Sequence, residues 1–194
     1  LVSADIALYS NIVVSLPMAS QWLYSSKNEF NFVSCLPEYI LKDLIVRPYV
    51  HKYGWSQTER WRENFPEIKL DDGSCRLENL FLKSKISICT WNTTSYLEIM
   101  SLNIPTIIFW DSEFFEIKKS AEKYFLILKK VGIFHNSPES AANHLIKIWE
   151  NIDNWWESAE VVEARDIFIN RYANNKNMLE KLTRVLKDPK NYPN

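Results

Sequence analysis

The stretch Trp91-Asn92-Thr93-Thr94-Ser95, with Glu98 one helical turn later, gathers the densest set of groups in this chain that could do chemistry. Hydroxyls and a carboxamide supply neutral hydrogen-bond donors. Backbone amides at a helix start, together with the helix dipole, favour an anion. Upstream, Arg47 stands before Pro48, and its guanidinium fork matches a phosphate bidentately; His51 follows shortly after. A fork-shaped cation, a hydroxyl-rich helix start and a carboxylate able to accept two ribose hydroxyls make a constellation for a nucleoside phosphate. The same residues have plainer readings. Ser95-x-x-Glu98 is a capping box, Arg47 can be a surface arginine, and Asp71-Asp72-Gly73 reads first as a turn. Asn92-Thr93-Thr94 is a glycosylation sequon without a secretion signal to make it useful.

Composition narrows the chemistry. The chain has only three glycines, Gly54, Gly73 and Gly132, which excludes the glycine-rich phosphate loops GxGxxG and GxxxxGK[ST]. Any phosphate site must therefore use hydroxyls, helix amides and side-chain cations. The net charge of -1 gives no basic field for nucleic acid. No apolar run approaches the roughly 18–20 residues that span a bilayer, so no transmembrane segment is expected. Cys35, Cys75 and Cys89 are odd in number and widely spaced, the usage of reduced thiols in a cytoplasmic protein. Neither CxxC nor HExxH occurs, so no metal site and no cofactor are expected.

The elements that must position these residues follow from periodicity. Residues 1–26 read as an irregular linker leading in from a missing N-terminal part, and 175–194 as a tail with a weak amphipathic helix. Between them, 27–174, strands are expected at 43–47, 67–70, 85–90, 106–110 and 132–134. Helices are expected at 28–42, 56–66, 75–84, from the polar turn to about Leu102, at 115–130, from Ser137 onward and at 159–173. Trp155-Trp156 reads as a staple between the C-terminal helix and the body. Strands alternating with helices imply an α/β fold, a Rossmann-like parallel sheet flanked by helices. Such sheets bind ligands beyond the carboxyl ends of their strands, which is where Arg47, His51, Asn92 to Ser95 and Glu98 fall.

The ordered strings "LIVRPYVHKYGW" (44–55), "FPEIKLDDG" (65–73), "SICTWNTTSYLEIMSLNIPTIIFWD" (87–111), "YFLILKKVGIFHNSPESAANHL" (124–145) and the Trp155-Trp156 pair resemble the C-terminal half of a GT-B glycosyltransferase. The resemblance is nearest to the bacterial surface-polysaccharide transferases of the LIC12162 family, and covers about residues 25–175. It implies a nucleotide-sugar-binding domain. Thr93, Thr94 and Ser95, with Asn92 in the same turn, would meet the diphosphate, and Glu98 the ribose or sugar. Arg47 would neutralise a phosphate oxygen, with His51 as a further candidate beside it. The implied partners are a nucleotide-activated sugar donor and a glycan or lipid-linked acceptor carried by the missing N-terminal domain. The implied location is cytoplasmic, at most peripheral to the inner membrane. The catalytic residue is unknown, and no DxD motif is present. The alternatives are a CDP-glycerol-type glycerophosphotransferase, a nucleotide-sugar epimerase, or a non-catalytic α/β interaction module in which the turn only caps a helix.

Overall fold

The computed structural model describes residues 1–9, 18, 20–111, 113, 115–173 and 178–187. In chain order its elements are α1 (Ser20–Ser34), α2 (Glu38–Leu41), β1 (Ile45–Val46), α3 (Gln57–Asn64), β2 (Lys69–Leu70), α4 (Leu77–Leu82), β3 (Ser87–Cys89), α5 (Ser95–Ser101) and β4 (Thr106–Phe109). There follow α6 (Lys119–Lys130), β5 (Phe134–His135), α7 (Pro138–Ile148), a 3-10 turn (Trp149–Asn151), α8 (Ile152–Trp156), α9 (Ala159–Tyr172) and α10 (Met178–Lys187).

Every residue of β3 and β4 is buried, as expected of strands covered on both faces. Alternate side chains divide between two cores. Cys89, Ile108, Trp110 and Phe134 join α5, α6 and α9 on one face. Val46, Ile88, Ile107 and Phe109 join α1 and α7 on the other. β1 and β2 pair in parallel, and so do β3, β4 and β5. What joins the two groups is Val2, bridged in parallel to both Arg47 and Cys89. Its amide donates to Ile88 O (2.8 Å), and the neighbouring Ser3 amide to Arg47 O (3.1 Å). The order across the sheet is thus β2, β1, the Leu1–Ser3 segment, β3, β4, β5. Numbered along the chain this is 3-2-1-4-5-6, the doubly wound order, with the direction of winding reversing between Leu1–Ser3 and β3.

Two sequence expectations change here. The start of the 1–26 stretch is not a loose leader: residues 1–3 fill the middle of the sheet. The pairing segment is too short to show a strand period. Residues 10–17 and 19 of that stretch lie outside the described residues. The first helix begins at Ser20 rather than at 28, and it ends before Pro37, which cannot continue it. In the tail, α10 falls where a weak helix was expected; 174–177 and 188–194 lie outside the described residues.

Local signals set several ends. Ser137 caps α7 by accepting from the Ser140 amide (3.2 Å), with Pro138 at the first helical position. α5 ends in a Schellman motif: Asn103 takes a left-handed conformation (φ 58°), its amide donates to Met100 O, and the Ile104 amide donates to Ile99 O. Gly132 closes α6 at φ 79° and lets the His144 ring lie against its Cα; a Cβ there would sit 2.3 Å from His144 Cε1. Gly132→Ala is expected to cost about 2 kcal/mol in urea unfolding, from the left-handed backbone and the clash together. Adding His144→Ala should recover the steric part and leave the backbone part.

Candidate functional site

The carboxyl ends of the strands bring the sequence-predicted residues to one edge of the sheet, in two groups. Beyond β3 comes the polar turn. Thr90 and Trp91 are buried, and Trp91 packs edge-on against Phe115 at 5.5 Å. The Thr93 amide donates back to Trp91 O (2.9 Å). Asn92 Oδ1 accepts from Tyr96 Oη (3.0 Å), which fixes the carboxamide against α5. Burial pushes the Tyr96 phenol above its ordinary value, so it stays a donor.

The capping box suggested by Ser95-x-x-Glu98 does not form. Thr94 occupies the N-cap position in a helical conformation (φ -71°, ψ -19°), and no side chain caps the helix. A capping oxygen needs an extended N-cap backbone to reach the second or third amide. The hydroxyls of Thr93, Thr94 and Ser95 therefore make no hydrogen bond among the described residues, and Glu98 projects into solvent one turn on. The turn presents unused hydroxyl donors at this edge of the sheet.

Beyond β1 lies the second group. The Leu1–Ser3 segment separates it from the turn, so Arg47 and the start of the turn are two strand spacings, about 10 Å, apart. Arg47 is 7% exposed. Its guanidinium is ion-paired with Asp71 and donates to Cys75 O at 3.2 and 3.3 Å. The turn read in Asp71-Asp72-Gly73 is thus also what holds the arginine. His51 is exposed and joins Tyr49 and Tyr53 in a ring cluster, with centroids 5.5–6.0 Å apart. These rings line a cleft of about 240 Å³ together with Asp5 and Gln57. Burial pushes the Asp5 carboxyl up to about 6, although the Ile6 amide donates to it.

Sequence reasoning missed the group between these two. Glu29 of α1 is 1% exposed. It accepts from Ser3 Oγ (2.9 Å) and Thr90 Oγ1 (2.5 Å), and burial pushes its carboxyl up to about 7. A signal existed: Trp22, Ser25, Ser26, Glu29, Phe32, Val33 and Leu36 follow the spacing of one helix face, and all are buried. A lone carboxylate on an apolar stripe marks a position where something must hold it.

At the far edge, His135 is satisfied as a neutral ring: Nε2–H donates to Gly132 O (2.9 Å), and Nδ1 accepts from Ser140 Oγ (2.8 Å). Burial lowers its affinity for a proton. Among the described residues, no three His, Cys, Asp or Glu side chains gather as a metal cluster, and no helix is long and apolar enough to cross a membrane.

Comparison with known proteins gives one match: a family described as "LIC12162 family transferase" fits residues 1–186. No curated protein and no solved structure matches the chain.

Proposed function

The chain belongs to the LIC12162 family of transferases, and from that premise we propose that it is the donor-binding half of a nucleotide-sugar-dependent glycosyltransferase of GT-B type, working in surface-polysaccharide synthesis. The observation that carries the reading is the uncapped hydroxyl turn beside the point where the sheet order reverses, where doubly wound sheets take their ligands. In this reading the Thr93, Thr94 and Ser95 hydroxyls and the first amides of α5 meet the diphosphate, with Asn92 shaping the turn. Glu98 accepts ribose or sugar hydroxyls. Arg47 keeps Asp71 and uses the remaining donors of its fork to face a phosphate oxygen, and His51 flanks the same crevice.

The reaction then runs by displacement at the anomeric carbon. An acceptor hydroxyl, from a glycan or a lipid-linked glycan, forms the new C–O bond, and the bond to the nucleotide diphosphate breaks with its electron pair leaving on phosphate oxygen. Donors aimed at that oxygen stabilise the developing charge without reorganising. The acceptor and its base come from outside the turn described above.

Thermal unfolding against UDP, CDP, GDP, TDP and CMP tests the site. Even a Kd near ~1 mM gives about 1.4 kcal/mol at ten-fold excess, a rise of roughly 3–6 °C in Tm for a chain of this size. The expected result is a rise selective for one base that is lost in Thr94→Val and in Glu98→Gln. Equal rises in the wild type and both variants would remove the turn from the site.

A further inference from the structure

The carboxyl of Glu29 sits at the reversal point of the sheet, fully enclosed, and touches both strands that flank it. Ser3 ends the central segment and Thr90 directly follows β3, and each hydroxyl donates to a different oxygen of this one carboxylate. Among the described residues no side-chain cation pairs with it. Among the described residues the ion pairs are Arg47–Asp71 and Arg184–Glu180. The groups that face Glu29 are Asp5, of like charge, and the Leu1 amino group. The Cys89 thiol of β3 lies near the Leu1 amino group, and burial pushes it up to about 12 and so keeps it neutral. From β1 comes Arg47, already held by Asp71. From α7, the residues sharing the core are Ala141, Ala142, Leu145 and Ile148, none of them charged. An apolar side chain would fill this place at less cost than a buried carboxyl, so packing alone does not account for it.

Thr90 is the link to the site. It directly precedes Trp91, whose carbonyl accepts from the Thr93 amide. Its hydroxyl also has a second acceptor within reach, Val2 O at 3.4 Å. While Glu29 is ionised, both hydroxyls point their protons at it. Once it is protonated, the carboxyl O–H needs an acceptor, and a hydroxyl oxygen supplies it by turning its own proton elsewhere. Thr90 can do so towards Val2 O. The bond that holds the start of the turn thus has two arrangements, set by one proton.

We propose that Glu29 is a positioning residue and a proton-linked regulator of the phosphate turn: ionised, it accepts from the Thr90 hydroxyl and opposes an anion at Trp91–Ser95; protonated, it donates to Thr90 Oγ1, turns that hydroxyl's proton towards Val2 O, and favours one. The regulatory half rests on reading that turn as the phosphate site. By reciprocity, an anion bound at the turn makes Glu29 take up its proton more readily. The relevant range is around neutrality, where burial has brought this carboxyl.

The test uses the 194-residue chain and NMR. In the absence of ligand, the amides of Trp91 to Thr94 are expected to move with pH in step with the Glu29 carboxyl carbon. They should stay still in Glu29→Gln, which keeps a neutral hydrogen-bonding group in place. In Thr90→Val the carboxyl should still titrate while the turn amides no longer follow it. Amides that titrate alike in Glu29→Gln, or that ignore the carboxyl in the wild type, would overturn the positioning role.

Inorganic pyrophosphate then probes the turn independently of any base. Its affinity for the wild type is expected to fall about fivefold, relative to Glu29→Gln, from pH 6 to pH 8; the ratio cancels the titration of pyrophosphate itself. Identical pH profiles in the two proteins would overturn the regulation. Amides that follow Glu29 without pyrophosphate binding at either pH would sink the phosphate reading and, with it, the regulatory half, and leave the positioning role standing.

Discussion

Replacing Trp156 by alanine is expected to cost about 4 kcal/mol of folding stability, near the middle of the range for a buried aromatic truncated to alanine. Trp156 is 2% exposed and does three things at once. Its ring fills the core between α5 and α9. Its indole N–H donates to the backbone and side-chain oxygens of Asn103, at 3.2 and 3.1 Å. The guanidinium of Arg165 lies over its face at 4.3 Å and donates to the same Asn103 side chain. Asn103 is the left-handed residue that turns the chain from α5 into β4, so the truncation also loosens the end of the helix that begins at the polar turn. Trp156→Phe keeps most of the apolar area and should lose about 1–2 kcal/mol, mostly the hydrogen bonds. Urea unfolding with an unchanged m value would check both figures. A loss below about 1 kcal/mol for Trp156→Ala would mean that the staple read in Trp155-Trp156 carries no load.

The second large effect depends on pH. The Glu29 carboxyl rises from 4.5 to about 7 on folding, chiefly because burial removes its hydration. The folded state then binds the proton more tightly than the unfolded chain. The stability tied to that proton is fully present below about pH 4.5 and is lost as pH rises through about 7. A tenfold difference in proton affinity is worth about 1.4 kcal/mol, so Glu29→Gln should be more stable than the wild type by about 3 kcal/mol at pH 8. At pH 4 the advantage should vanish, because both side chains are then neutral. Asp5 is raised in the same direction, so the variant keeps a weaker slope of the same sign. Urea midpoints at pH 4, 6 and 8 measure the difference directly. A constant offset across that range would mean that the carboxyl does not titrate where its burial puts it.

The parts of the fold visible in the sequence were those with a long period or a hard stop. β3, the turn, α5 and β4 lie within two residues of their expected places, because an unbroken apolar run, a polar cluster and Asn103-Ile104-Pro105 leave little choice. The parallel sheet followed from the alternation of strands and helices alone. Leu1–Ser3 was invisible for the opposite reason: its strand character lies in two partners distant in the chain and not in its own residues. The early start of α1 was masked by Ser25 and Ser26, which look like a linker but are buried in the fold. In the site, Ser95-x-x-Glu98 fits a capping box by spacing, yet the box depends on one backbone angle that spacing does not encode. Arg47 was legible as a strand-end cation. Its partner Asp71 was not, since parallel pairing of β1 with β2 is what brings them together.

The Leu1–Ser3 segment also has a consequence for the order of assembly. Its neighbours lie 44 residues away on one side, from Leu1 to Ile45, and 88 on the other, from Val2 to Thr90. Long loops close late, because their entropy must be lost before any contact rewards them. The β1–β2 and β3–β4–β5 groups each join strands that are close in sequence, so each can assemble locally, and the seam between them is sealed afterwards. On the ribosome, at about 5–20 residues per second, Val2 waits roughly 4–18 s for β3 to be synthesised. Of the segments that form the sheet, the earliest in the chain is the last to be placed, and until then both halves of the sheet expose an open inner edge.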